Sequence, residues 1–205
     1  MSKNAITLAI TGASGSPYVL RLIEWLNQND YLIHLLVSDA GRVVLATEDG
    51  IELPKSPRKQ KARLVDSLGL DPELIECWSQ NDWSSPVASG SSAPKQMVIC
   101  PCSTGTLSAV ATGASNNLIE RAADVMLKER GTLIVVPREA PYSSIHLTNM
   151  LALTQAGGIV LPASPGFYHQ PEEIDELIDF IVSRILDQLD ISNNLAKRWG
   201  YLDNS

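Results

Sequence analysis

The sequence has no excess of basic residues. Its 16 Lys and Arg residues are outnumbered by 23 Asp and Glu residues, which gives a formal net charge of −7. Because nucleic acids and anionic membranes attract basic faces, this balance excludes broad binding to either. We therefore expect neither nucleic acid nor a membrane as a partner. An anionic ligand would have to be held by a local cluster of side chains.

Long apolar runs and disulfide patterns are also lacking. No stretch of 18 apolar residues is present, and no cleavage-site pattern follows the short apolar run near the N-terminus. The three cysteines are an odd number without the spacing of a disulfide framework, which is typical of a reducing compartment. We therefore expect a cytoplasmic protein.

The cysteines also bear on metal binding. Cys100 and Cys102 are expected to project from the same face of a strand, where two thiolates could start a metal site. A site needs further ligands, and the neighbouring sequence offers none. We therefore expect buried apolar cysteines and no metal.

What the sequence does contain is a regular alternation of strand-like and helix-like segments. Strands are predicted at 5–11, 31–37, 73–78, 96–101, 132–136 and 158–161. Helices are predicted at 17–29, 40–48, 58–69, 107–112, 117–130, 143–155 and 171–189. This alternation predicts an α/β fold, a mostly parallel sheet with helices on both faces. With 205 residues, 44% of them hydrophobic, we expect one domain over 1–205 with a polar tail from about 192.

The ligand of such a sheet binds outside the carboxyl ends of its strands. The segments there are rich in small, hydroxyl and charged residues: 11–16, Ser38, 102–106, 137–142 and 162–169. In the first, Gly12 and Gly15 let backbone approach an anion, and the following helix start offers unpaired N–H groups. The turn is neither a dinucleotide fingerprint nor a P-loop. A tight turn with plain helix caps is the alternative, but two such turns at one edge favour a nucleotide-like ligand.

Several charged and aromatic residues are ambiguous when judged from the residues alone. Arg121 and Lys128 share a helix face with an Asp between them, a pattern that more often marks a solvated face. Arg138 with Glu139, directly after a buried strand, is either an ion pair or part of a site. Tyr168 is a ligand contact or a core aromatic. The histidines show no triad spacing, and the first turn is not the G-x-S-x-G of a hydrolase.

A set of motifs in one order resembles the UbiX/Pad1 flavin prenyltransferases. The motifs are GASG at 12–15, ASGS at 88–91, CPCSTGTL at 100–107, NLIERAADV at 117–125, LKER at 127–130, PREAP at 137–141 and GFYHQP at 166–171. The resemblance runs from about residue 5 to Trp199. It implies a flavodoxin-like, Rossmann-type three-layer fold, assembled as trimers into a dodecamer. It also implies a metal-independent transfer of a dimethylallyl group from dimethylallyl phosphate to N5 and C6 of reduced FMN. The product, prenylated FMN, would serve a UbiD-type decarboxylase of ubiquinone biosynthesis.

The resemblance also implies roles for individual residues. The FMN-binding positions would be Gly12, Ala13, Ser14, Ser38, Ser103, Thr104, Gly105, Thr106 and Arg138. The prenyl donor would be held by Arg121, Lys128, Tyr168 and Arg184, with Ser89, Gly90 and Trp199 shaping the prenyl pocket. Glu139 would be the catalytic base, Ser14 a proton relay and Tyr168 a third catalytic residue. In the trimer, Arg121 and Lys128 would come from one subunit and Tyr168 and Arg184 from another.

Three other functions are compatible with a flavin site. An FMN-dependent decarboxylase acting on a cysteine adduct would carry a catalytic His motif and P-x-M-N-x-x-M, and neither motif is found. An electron-transfer flavoprotein would not need the four donor-binding side chains. A non-catalytic flavin-binding module would tolerate changes at all four.

Overall fold

A computed structural model describes residues 4–197, and its centre is a six-stranded sheet in the order β3-β2-β1-β4-β5-β6. All neighbouring strands in this described part run parallel. The strands are β1 (Ala5–Ile10), β2 (Leu32–Val37), β3 (Ile75–Trp78), β4 (Gln96–Cys102), β5 (Thr132–Pro137) and β6 (Ile159–Val160). Without the edge strand β3, the order is that of flavodoxin. The chain reverses its winding direction between β1 and β4, so the carboxyl ends of these two strands flank the crevice where such sheets bind ligands.

Seven helices cover the two faces of the sheet within the described residues. They are α1 (Ser16–Gln28), α2 (Asp39–Asp49), α3 (Pro57–Leu68), α4 (Thr104–Ala111), α5 (Leu118–Lys128), α6 (Ser144–Gln155) and α7 (Ile174–Gln188). One apolar cluster joins alternate strand residues to α1, α2, α3 and α7. A second cluster on the opposite face joins the intervening strand residues to α4, α5 and α6. Because helices cover both faces of the sheet, side chains on both sides of each strand are buried, which explains why the strand sequences are almost continuously apolar.

The predicted elements are confirmed, and the largest differences lie at helix ends. α4 begins at Thr104, not at 107, because the Ser103 hydroxyl caps it. α7 begins at Ile174, not at 171, and Glu173 forms a capping box with Glu176 there. The long segment 79–94 is folded, with a 3₁₀ turn over Pro86–Ala88.

Cys100 and Cys102 lie on opposite faces of the sheet, so the expectation of a shared face is wrong. Cys100 belongs to the cluster with α1 and Cys102 to the cluster with α4. The reason is a register shift, since three residue steps from Ile99 to Cys102 on β4 face two steps on β5. The extra residue inverts the alternation of side chains. All three thiols are buried, and burial raises the pKa of Cys77 and Cys102 to about 12.

Two further structural findings concern membranes and metals. Within residues 4–197, no helix is long and apolar enough to cross a membrane. In the same residues, no group of three or more His, Cys, Asp and Glu side chains is placed to hold a metal ion.

Candidate active site

Thr11 fixes the turns after β1 and β4 relative to each other. Its side chain is 1% exposed. The Thr11 hydroxyl donates to the Pro101 carbonyl at 2.8 Å and accepts from the Ser103 N–H at 2.8 Å. The Thr11 N–H also donates to the Pro101 carbonyl, at 3.2 Å. A single buried side chain therefore ties together two loops at the centre of the predicted flavin site.

We expect Thr11→Val to destabilise the chain by about 1–3 kcal/mol, because it leaves the half-buried Ser103 N–H without its partner and removes the bond of the buried Thr11 hydroxyl to the Pro101 carbonyl. Denaturant unfolding measures this loss, and FMN affinity should fall with it. Thr7→Val, on β1 just before this turn, is the matched control. The Thr7 hydroxyl is also buried but has no hydrogen-bond partner, so its loss should be neutral or stabilising. Equal effects of the two substitutions would contradict the role given to Thr11.

The first turn lies in close contact with the start of α2. A Cβ added at Gly12 would lie 2.5 Å from the Ala40 Cβ, and one added at Gly41 would lie 2.6 Å from the Ile10 carbonyl oxygen. Ser38 caps α2 by accepting from the Gly41 N–H at 2.9 Å. The two glycines are therefore required for α2 to begin beside the turn that includes Gly12, Ala13 and Ser14.

The N-terminus of α4 faces open space. Ser103 accepts from the Thr106 N–H at 3.2 Å and donates to the Thr106 hydroxyl at 3.0 Å. A Cβ added at Gly105 would meet no atom within 4 Å, and Thr104 is half-buried. The positive end of the helix dipole and the first-turn N–H groups are thus directed at an accessible space, where an anion is favoured.

The N-terminus of α1, in contrast, is already occupied by Glu48, a residue that sequence reasoning missed. Its carboxylate accepts from the N–H groups of Gly15 and Ser16 at 2.9 and 3.0 Å, and from the Ser16 hydroxyl at 2.7 Å. The expectation of unpaired N–H groups at this helix start is therefore wrong. One signal was available: Glu48 and Asp49 end α2, where acidic side chains oppose the helix dipole and need another partner.

The hydrogen bonds of Glu48 also set its acidity. Partial burial raises its pKa, but hydrogen bonds from the Ser14 and Ser16 hydroxyls and the Gly15 and Ser16 N–H groups outweigh this and lower the pKa to about 2. Glu48 is therefore a stable anion that contacts Ser14.

The low pKa of Glu48 predicts a pH-dependent contribution to stability. Because the folded-state pKa lies below the ordinary 4.5, the contribution is full above pH 4.5 and is lost as the pH falls towards 2. After allowance for solvent screening, we expect about 1 kcal/mol or less. Unfolding midpoints measured from pH 5 to 2 should fall less steeply in Glu48→Gln than in the parent chain. Parallel curves would contradict this assignment.

Arg138 joins the end of β5 to the first turn. Its Nε donates to the Ser14 carbonyl at 3.1 Å. Glu139, the next residue, accepts from the Ala140 N–H at 3.0 Å and is half-buried. The structure thus brings the predicted FMN-binding residues of β1, β2, β4 and β5 to one edge of the sheet. Arg138 and Glu139 do not form an ion pair with each other, so the interpretation of these two residues as an ion pair is wrong.

The residues predicted to bind the donor through α5 lie beside the long loop. The Arg121 Nε donates to the Ala88 carbonyl at 3.0 Å, and its Nη1 bonds Asp124 at 2.9 Å. Lys128 forms an ion pair with Glu129. Ser89 and Gly90 follow Ala88 directly, so they lie next to this helix.

Tyr168 and Arg184 lie near each other at α7. The Tyr168 ring is T-shaped to Phe180, with centroids 5.8 Å apart, and Phe180 is one helical turn from Arg184. Tyr168 is 47% exposed, which excludes a core role. Arg184 bonds Asp187 at 2.8 Å. Trp199 lies outside the described residues.

A single chain does not gather the four predicted donor-binding residues. Arg121 and Lys128 are on α5 and Arg184 is on α7, and these helices pack against opposite faces of the sheet. Within residues 4–197, the predicted site residues therefore form three separate groups. One lies at the strand ends, one lies on α5 and its neighbouring loop, and one lies at α7.

The sequence matches the family model described as Flavoprotein over residues 1–186. It is 58% identical over 195 residues to the flavin prenyltransferase UbiX of Pseudomonas aeruginosa strain PAO1. The aligned residues make up 95% of this chain and 93% of that protein. The chain belongs to the UbiX family of flavin prenyltransferases. The resemblance, the enzyme class and the flavin prenyltransferase function predicted from the sequence are thereby confirmed.

Solved structures of UbiX-type proteins share the fold. AnUbiX (PadA1), solved in complex with FMN and dimethylallyl pyrophosphate, is 35% identical, with a TM-score of 0.85 over 98% of this chain and 100% of that one. A dodecameric FMN-dependent UbiX-like decarboxylase from Escherichia coli O157:H7 is 34% identical, with a TM-score of 0.82 over 95% and 98% of the two chains. The flavodoxin-like α/β fold class is confirmed.

Proposed function

We propose that this chain joins the dimethylallyl group of dimethylallyl phosphate to N5 and C6 of reduced FMN, and that a UbiD-type decarboxylase receives the prenylated FMN in the cytoplasm. The observation that carries the proposal is the convergence of four strand ends on one crevice. There the first turn, Ser38, the start of α4 and Arg138 surround the point where the sheet reverses its winding.

The residues of this crevice suit FMN. Because Glu48 occupies the start of α1, the accessible α4 start is the favoured place for the phosphate, with Ser103, Thr104 and Thr106 as donors. Arg138 provides a cation beside the first turn. Reduced FMN supplies an electron-rich ring when bound. At Gly105 a Cβ would meet no atom within 4 Å, so this glycine leaves room for the ligand to approach the backbone.

The donor's phosphate departs with growing negative charge, and Arg121, Lys128, Tyr168 and Arg184 would stabilise that charge. Preorganised cationic and hydroxyl donors stabilise a leaving group more in the transition state than in the ground state. We further propose that Arg121 and Lys128 of one subunit meet Tyr168 and Arg184 of another within a trimer. A dodecameric relative supports assembly. The exposed apolar side chains of α6, Ile145, Leu147 and Leu151, also support it.

Closure of the new ring at C6 requires loss of a proton, and Glu139 would accept it. A base works best when its pKa is near the working pH. The low pKa of Glu48 makes that residue a poor base. Glu48 would instead orient the hydroxyl of Ser14, which would relay the proton.

The release of inorganic phosphate from dimethylallyl phosphate tests this function. We expect release only under anaerobic conditions with reduced FMN, and none with oxidised FMN or without flavin. A decarboxylase of the alternative type would instead release carbon dioxide from a cysteine adduct. Carbon dioxide release from that adduct, with no phosphate release, would replace the proposal by the cysteine-adduct decarboxylase.

A further inference from the structure

Each of the two α5 cations that are assigned to the donor already pairs with a carboxylate that is close to it in the sequence. Arg121 bonds Asp124 at 2.9 Å, and Lys128 bonds Glu129. The local charge of these two pairs is zero, because two cations meet two carboxylates. A donor phosphate must therefore compete with these carboxylates for the same N–H groups.

Glu129 has a second contact, with the loop that carries Ser89 and Gly90. A Cβ added at Gly90 would overlap the Glu129 carboxylate, so the glycine lets the loop and this side chain lie in direct contact. At the other end, Arg121 donates to the Ala88 carbonyl at 3.0 Å. The loop is thus attached to α5 beside both cations, and Glu129 lies between Lys128 and the predicted prenyl pocket.

We propose that Glu129 is the counter-ion that Lys128 exchanges for the donor's phosphate, and that its charge favours a monophosphate over a diphosphate donor. This inference rests on the proposed function. A diphosphate carries more negative charge than a monophosphate, so a carboxylate that stays close to the binding cation repels it more. The hydrogen bond and the charge of Lys128 lower the pKa of Glu129, which keeps it ionised near neutral pH.

The test compares the binding of inorganic phosphate and inorganic pyrophosphate to the full-length, FMN-loaded protein by isothermal titration calorimetry. In Glu129→Gln, pyrophosphate affinity should improve about two- to fivefold relative to phosphate affinity, the size expected for an exposed charge pair. Glu129→Asp, which keeps the charge, should retain the parent ratio. Glu76→Gln is a matched control, because Glu76 forms a comparable exposed pair with Lys61 at 2.8 Å on another part of the surface.

An unchanged ratio in Glu129→Gln, or an equal loss of both affinities, would overturn the inference and leave Glu129 a structural contact of the loop. If that variant does not fold, Glu129→Ser also removes the carboxylate beside Lys128 and should shift the ratio in the same direction. An unshifted ratio there, or no anion binding by the parent protein, would also overturn it. The measurement needs no turnover, so a protein that shows the shift but does not prenylate FMN would refute only the proposed function.

Discussion

Replacement of Lys128 by Met should lower kcat/KM for dimethylallyl phosphate on the order of 100- to 1,000-fold and leave FMN affinity unchanged. Methionine keeps the apolar stem of the side chain but has no charge to stabilise the departing phosphate. Lys128 is at the exposed end of α5 and pairs with Glu129, so its loss should not disturb the core. Steady-state kinetics of phosphate release and a flavin titration give the two parameters.

Lys61→Met is the matched control for this prediction. Lys61 pairs with Glu76 across α3 and β3, away from the strand ends that form the crevice. Its substitution should leave kcat/KM as in the parent chain. Parent-like kinetics in Lys128→Met, or an equal loss in the two variants, would remove Lys128 from the donor site.

Replacement of Glu139 by Gln should keep FMN bound but slow formation of the completed product on the order of 100- to 10,000-fold. The amide oxygen of Gln can still accept from the Ala140 N–H, so the local backbone contact at 3.0 Å can persist. The amide cannot take up the proton that ring closure releases. Rapid-quench sampling with chromatography of the extracted flavin measures completed product against time.

Glu24→Gln provides the comparison for Glu139. Glu24 is on α1, and its pair with Arg21 is long, at 4.0 Å, so this variant should form product at the parent rate. Full turnover by Glu139→Gln would remove Glu139 from the mechanism.

The strand ends of the site could be predicted because buried parallel strands have a distinctive sequence. Apolar runs such as that of β1 end at residues with hydroxyl or charged side chains, and parallel strands bring those ends to one edge. Ser38, Ser103 and Arg138 were therefore identifiable from position alone. Motif resemblance was needed to assign the flavin and the reaction.

Contacts between distant segments could not be predicted in this way. Glu48 reaches Gly15 and Ser16 from α2, 32–33 residues along the chain, and local spacing does not show such a pairing. The opposite orientations of Cys100 and Cys102 depend on one extra residue in β4. Regular alternation of side chains predicts the wrong face whenever such a bulge is present.

The donor site shows the same limit. Sequence spacing correctly placed Arg121 with Asp124 on one helix face. It did not show that the Arg121 guanidinium also holds the Ala88 carbonyl, which makes the residue part of the loop structure as well. Half-exposed Tyr168 could not be distinguished from a core aromatic until its surroundings at α7 were known.

The mass of the flavin extracted after anaerobic incubation with reduced FMN and dimethylallyl phosphate tests prenyl transfer most directly. The expected result is a flavin heavier than FMN by one five-carbon prenyl unit, formed only when donor, reduced flavin and folded protein are all present. A flavin of unchanged mass, from protein that is folded and binds FMN, would contradict the proposed reaction.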